Sequence, residues 1–131
     1  MAEEAELKAI CGQLVQAVEV MMNPGVGNQE RFQAYQKCEE FKQSAASPVT
    51  VQCGLLLTQY NNTVAVRRFG LKLLEDVIKL RWNEMSGDQK MFMKVNVMGL
   101  MMIEEKHEEP GLIKDGIARL CVEMILSLIH I

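Results

Sequence analysis

Four cysteines (Cys11, Cys38, Cys53 and Cys121) and two histidines (His107 and His130) are the residues of this 131-residue chain best suited to metal binding or nucleophilic chemistry. Their spacing argues against both. No two cysteines form a C-x-x-C pair, and no histidine stands at ligand spacing from one. Each cysteine falls among apolar residues of a helical pattern, so the expectation is buried, unbridged thiols in a reducing compartment. His107 sits in the acidic run "EEKHEE", where solvation is expected rather than the convergent geometry that a metal needs. The glycine-rich "NPGVGNQ" lacks the Lys-Ser/Thr ending of a phosphate loop and follows a helix, not a strand. No serine or cysteine has a plausible base beside it in sequence. No enzyme, metal or cofactor is therefore expected. The sequon at Asn61-Asn62-Thr63 carries no weight, because nothing else points to secretion.

The composition suits a binding scaffold. Hydrophobic residues make up 49% of the chain and aromatics only 5%, with ten methionines, three prolines and nine glycines. One core-forming, all-α domain follows from these values. The net charge is −3 and the isoelectric point about 5.4, which argues against a general nucleic-acid surface but leaves room for a basic protein partner. The start "MAEEAELKAI" lacks the features of a signal peptide, and no apolar run of membrane-spanning length is visible, so no membrane association is expected.

Apolar periodicity divides the chain into helices. The first is expected over about Ala2–Met22, with Leu7, Ile10, Cys11, Leu14, Val15 and Val18 on its apolar side. "NPGVGN" stops it. A second is expected over about Gln29–Ala45, with Phe32, Tyr35, Cys38 and Phe41 as its apolar edge, before "SPVT" breaks the chain. A short helix over Val51–Gln59 and a turn at "YNNT" follow, with Asn62 or Thr63 as N-cap. A long helix covers about Val64–Glu84, and another runs from a Ser86 cap to about Glu104. "EEKHEEPG" reads as a polar loop, and a last helix starts near Gly111. The pattern is helix, turn, helix, three times. Pair starts lie roughly 46 and 37 residues apart, close to the repeat of HEAT or armadillo proteins. A plain helical bundle is the alternative.

The stretch "VRRFGLKLLEDVIKLRW" (Val66–Trp82) favours the solenoid. At about 100° per residue, Val66, Phe69, Gly70, Leu73, Leu74, Val77 and Leu80 share one broad face. Leu71, Ile78 and Trp82 form a second apolar edge. Between them runs one charged stripe: Arg68, Lys72, Glu75, Asp76 and Lys79. Lys72 with Asp76 and Glu75 with Lys79 are i,i+4 couples. A helix packed on two sides with one open stripe is an inner helix of a stack, with the stripe on the concave wall.

Particular segments go further. "AICGQLVQAVEVMMNP" (Ala9–Pro24), "CEEFK" (Cys38–Lys42), "VRRFGLKLLEDVIKLRWNEMS" (Val66–Ser86) and "IKDGIARLCVEMI" (Ile113–Ile125) together resemble the N-terminus of nuclear export receptors of the karyopherin, or importin-β, family. An arginine, a spaced leucine pair and a tryptophan on one helix resemble the importin-β N-terminal domain shared by the karyopherins. The resemblance covers about residues 5–125 in order. It implies a superhelix of HEAT repeats that shuttles between nucleus and cytoplasm. Such a receptor binds Ran-GTP and carries cargo, here structured double-stranded RNA such as microRNA precursors when full length. Nucleoporins are a further partner class.

The resemblance also implies that the inner helices of the first repeats face Ran. The candidate positions are Arg68, Lys72, Asp76 and Lys79 in the second pair. In the first pair they are Gln36, Lys37 and Glu40, and in the third Asp115, Arg119 and Glu123. Leu71, Leu74 and Trp82 are assigned to packing. The alternative function is a helical-repeat adaptor between proteins, or another karyopherin, with no RNA cargo. Two segments depart from the family pattern. "MMIEEKHEEPGLIKD" differs in the third connection, and "LSLIHI" (Leu126–Ile131) follows Ile125 where the family continues with a charged, Trp-Pro-rich segment. Those six residues are what CTG TCT CTT ATA CAC ATC encodes, which is similar to a transposase adapter. The expected division is therefore repeats over residues 1–125 and a non-native tail over 126–131.

Overall fold

Six α-helices account for nearly all of the described backbone in the computed structural model, which describes residues 2–59, 61–106 and 111–129. For residues 2–3, 101–106 and 128–129 only the backbone is described. The helices are α1 (Ala2–Met22), α2 (Asn28–Ser44), α3 (Ser47–Leu57), α4 (Val64–Arg81), α5 (Gly87–Lys106) and α6 (Gly111–Ile129). A single 3-10 turn, Trp82–Glu84, follows α4. The chain is an all-α stack of three helix pairs, α1–α2, α3–α4 and α5–α6. No helix among the described residues is long and apolar enough to cross a membrane.

Local chemistry sets the boundaries. Thr63 caps α4, its hydroxyl accepting from the Val66 N–H at 3.3 Å. Ser86 and Gln89 form a reciprocal capping box at the start of α5. The Ser86 N–H donates to Gln89 Oε1 at 2.9 Å, and the Gln89 N–H to Ser86 Oγ at 3.2 Å. "SPVT" is not a break. Pro48 sits in the first turn of α3, where its missing N–H would have had no partner, and only Ala45 and Ala46 separate α2 from α3. α5 runs on through Glu104 and Glu105 to Lys106, past the expected start of the polar loop, and the rest of that loop, residues 107–110, lies outside the described residues. His107 and His130 lie outside the described residues.

α4 is the hub. It packs on α3, α6 and α1, and it contributes to both apolar clusters of the core. Val66 and Leu73 join Cys11, Leu14 and Val18 of α1, Cys38 of α2 and Leu57 of α3. Leu71, Leu74, Val77 and Ile78 join Met93 and Val97 of α5 and Ile113, Ile117 and Leu120 of α6. Trp82 belongs to the second cluster, buried as expected, with Lys90 Nζ 5.6 Å from its ring centroid. The two-sided burial read from the sequence is present.

Two expectations about apolar faces fail. Leu80 is 77% exposed, because it repeats the direction of Leu73 beyond the last residue that the α1–α3 cluster covers. Phe32 and Tyr35 are also exposed, at 58% and 51%. The small side chains of Ala34 and Cys38 face α1 instead, and α1 is the only extensive neighbour of α2 among the described residues.

The pairs are held at short range by missing side chains. A Cβ on Gly70 would stand 2.8 Å from the Gly54 carbonyl oxygen and 2.9 Å from Leu57 Cβ. A Cβ on Gly54 would stand 2.8 Å from Leu74 Cδ2 and 3.2 Å from the Gly70 carbonyl oxygen. α3 and α4 therefore meet backbone to backbone. Gly70→Ala should cost about 1–3 kcal/mol of stability through overpacking. Gly12→Ala, in α1 with nothing within 4 Å of the new methyl, should gain about 0.5–1 kcal/mol from helix propensity. Urea unfolding of the two variants checks both signs.

Candidate functional site: a charged wall on α4 and α6

The stripe of α4 is open, and most of its charges are already engaged. Lys72 Nζ lies 3.3 Å from Asp76 Oδ1 and 3.7 Å from Glu75 Oε2. Lys79 Nζ lies 3.5 Å from Glu75 Oε1 and 3.7 Å from Glu123 Oε1 on α6. Both i,i+4 couples read from the sequence are present, and the Glu123 contact ties α4 to the third pair. The Glu75 side chain is only 12% exposed and is shared between two lysines. A largely desolvated carboxylate between two cations is held more firmly than a surface pair, which contributes about 0–1 kcal/mol.

Arg68 and Arg119 differ from the lysines. Both are exposed, and neither forms a hydrogen bond or ion pair with another described residue. They line one cleft of about 270 Å³ between α4 and α6, together with Lys72, Glu75 and Asp115. Its apolar part comes from Phe69, Leu71 and Leu112. The cleft exists because α4 and α6 approach closely at Gly116, where a Cβ would lie 2.7 Å from Leu71 Cδ1. The structure thus brings Arg68, Lys72, Asp115 and Arg119 together. Asp76 and Lys79 continue the same wall, and Lys79 reaches the next cleft along, beside Glu123.

The first pair contributes differently from expectation. Lys37 lines a polar groove between α1 and α2, with Gln13, Gln16 and Gln33. Glu40 is exposed, and its carbonyl accepts from Ser44 Oγ at 2.6 Å. The α2 side chains that turn toward α4 are Glu39 and Lys42. They pair at 3.2 Å, and Lys42 Nζ lies 5.6 Å from the Phe69 ring centroid.

Two arginines with structural roles escaped the sequence reading. Arg81 donates from Nη1 to the Ala45 carbonyl at 2.8 Å and from Nη2 to the Lys42 carbonyl at 2.6 Å. One guanidinium thereby satisfies two carbonyls at the C-terminal end of α2 and joins the first two pairs. Arg67 is buried, and its Nε donates to the Thr58 carbonyl at 3.0 Å. Asn62 does the same for the Leu56 and Leu57 carbonyls, both at 3.2 Å. The signal available in the sequence was position: Arg67 falls on the apolar side of α4, and Arg81 in its last turn.

No disulfide links the cysteines. Cys11 and Cys53 belong to one cluster at the contact of α1 with α3. A hydrogen bond between the two thiols, with burial acting the same way, pushes Cys53 far up. The same bond brings Cys11 below its ordinary value against the effect of burial. Burial also raises Cys38. Cys121 is only partly buried.

Alkylation of the native chain at pH 8 should modify the partly buried Cys121 first, with the buried Cys11, Cys38 and Cys53 protected until denaturant is added; peptide mass mapping reads the order. Glu75→Gln should lower stability by about 1–2 kcal/mol, whereas Asp76→Asn should stay within about 0.5 kcal/mol. Chemical denaturation at low and high salt separates the two.

Comparison with known proteins places this architecture. Residues 34–102 match the model of the importin-beta N-terminal domain. Exportin-5 of Homo sapiens is 43% identical over 122 residues, covering 92% of this chain, and that of Mus musculus 42% identical over 125 residues, covering 94%. Exportin-5 of Dictyostelium discoideum is 25% identical over 116 residues, or 88% of the chain. The chain spans about a tenth (10%) of the length of each of these relatives. With three stacked helix pairs and a matched segment running from α2 into α5, the chain belongs to the importin-β N-terminal domain family of karyopherin-type transport proteins.

Proposed function

We propose that this chain is the Ran-binding start of a nuclear export receptor and acts in transport, not catalysis. In this reading the wall of α4 and α6 faces Ran in its GTP-bound state, with Arg68, Lys72, Asp76, Lys79, Asp115 and Arg119 as the exposed positions. Lys37 and Glu40 of α2 remain candidate contact positions of the first pair, apart from this wall, with Lys37 in the groove between α1 and α2. The full receptor would shuttle between nucleus and cytoplasm and export structured double-stranded RNA such as microRNA precursors, with nucleoporins as transit partners. Residues 1–125 are taken as the repeats, and Leu126–Ile131 as a non-native tail because its six residues are ones that a transposase adapter could encode.

The observation that carries the reading is the continuous polar wall of α4 and α6, left open while both flanks of α4 are buried. A mixed-charge wall on an acidic domain complements a basic GTPase and steers its approach. Identity to exportin-5 over most of the chain supports the export class.

The test is capture of the chain on immobilised Ran locked in either nucleotide state. Retention at least about tenfold stronger on the GTP state is expected, since each tenfold corresponds to about 1.4 kcal/mol of state-dependent contact. Equal retention on both states would favour the helical-repeat adaptor instead.

A further inference from the structure

The charged wall divides into two sets of residues that the sequence could not separate. Lys72, Lys79, Glu75, Asp76 and Glu123 satisfy one another. Arg68 of α4 and Arg119 of α6 line one cleft without an internal partner among the described residues. We infer that this cleft is an acid-binding subsite, in which Arg68 and Arg119 clasp an Asp or Glu side chain of the GTPase partner. The inference rests on the GTPase-binding reading above and assigns the polar contact to two residues of the wall.

The chemistry favours a carboxylate carried by a protein. Guanidinium groups present a fork of N–H donors that matches a carboxylate, and two of them from neighbouring helices can address both of its oxygens. The cleft is not uniformly basic, since Glu75 and Asp115 also line it. Those carboxylates, with Asp76 and Glu123 along the same wall, oppose a polyphosphate strand but tolerate one acidic side chain placed between the arginines. The apolar rim adds a second requirement. Leu112 is 52% exposed at the cleft edge beside Phe69, so an apolar neighbour of the bound acid has a surface to cover. The ligand is thus an acidic residue next to an apolar one, on a folded partner surface.

The lysines take the opposite role. Because Lys72 and Lys79 hold Glu75, their loss is felt first inside the domain. Arg68 and Arg119 hold no other described residue, so their loss is felt first by a partner. This separation makes the subsite testable without confusing folding with binding.

The experiment compares wild type, the Arg68→Glu/Arg119→Glu variant and, as a control on α1 outside the wall, Lys8→Gln. Each is titrated with Ran locked in its GTP state and, separately, with a hairpin RNA. Circular dichroism and thermal melts are recorded on the same samples. The arginine variant should keep its helicity and melting temperature and lose about tenfold to a hundredfold in GTPase affinity, with a flatter salt dependence. Lys8→Gln, an exposed change on α1 outside the wall, should stay within about threefold. An Asp or Glu→Arg change on the GTPase should restore part of the lost affinity. Unchanged GTPase affinity in the arginine variant would overturn the subsite while leaving the GTPase reading in place. A loss of RNA binding with GTPase binding intact would overturn it too, by assigning the arginines to phosphate. Wild type with no preference for the GTP state would instead remove the underlying reading.

Discussion

The contact between Gly54 and Gly70 sets the distance at which α3 and α4 run, and through α4 it sets the rest of the stack. With no side chain on either helix at the crossing, each backbone comes within the space of a single methyl group of the other. Leu74 and Leu57 then close over the crossing from either side, both fully buried. A wider separation would lift α4 off α3 and pull Leu73 and Val66 from the first cluster, or Leu74 and Val77 from the second. Interiors pack at near-crystalline density, so such a shift cannot be absorbed by small adjustments. The position of the open stripe follows from it: once α1, α3 and α6 have taken their sides of α4, only one strip is left for solvent.

What lies on that strip is ordered by burial as much as by charge. Glu75 sits low in the wall, and Lys72 and Lys79 fold over it from one turn on either side. Arg68 stands at the other end, beside the approach of Leu71 to Gly116, where α6 is nearest. A stripe that looks like one mixed-charge surface in sequence is therefore a brace with a cleft beside it.

Much of this was legible beforehand, and the gaps have physical causes. Helical periodicity located all six helices, and the two apolar edges of Val66–Trp82 correctly implied a helix buried on two sides. Thr63 and Ser86 were readable as caps because capping is local chemistry. Pro48 was misread because a proline ends one helix and starts another equally well, and only the carbonyl geometry around it decides. Phe32, Tyr35 and Leu80 were misassigned because periodicity gives a residue's direction and not whether a neighbour is there to meet it. Arg67 and Arg81 escaped because their partners are main-chain carbonyls, and every residue has one. The candidate wall was legible as a stripe on α4. Its extension to α6 depended on which helix lies beside α4, and no helical wheel contains that.

The grip of Arg81 on α2 has an evolutionary consequence. It fastens the second pair to the first through the main-chain oxygens of residues 42 and 45. The joint therefore places no demand on what residue 45 is, so long as the helix ends there. Substitutions can accumulate on that side of the seam while the alignment of the two pairs is inherited unchanged. The polar share of the constraint falls on a single guanidinium, while the shared apolar cluster of α1–α4 carries the rest, so a chain that lost Arg81 would keep the packing of the seam and lose its main-chain anchor.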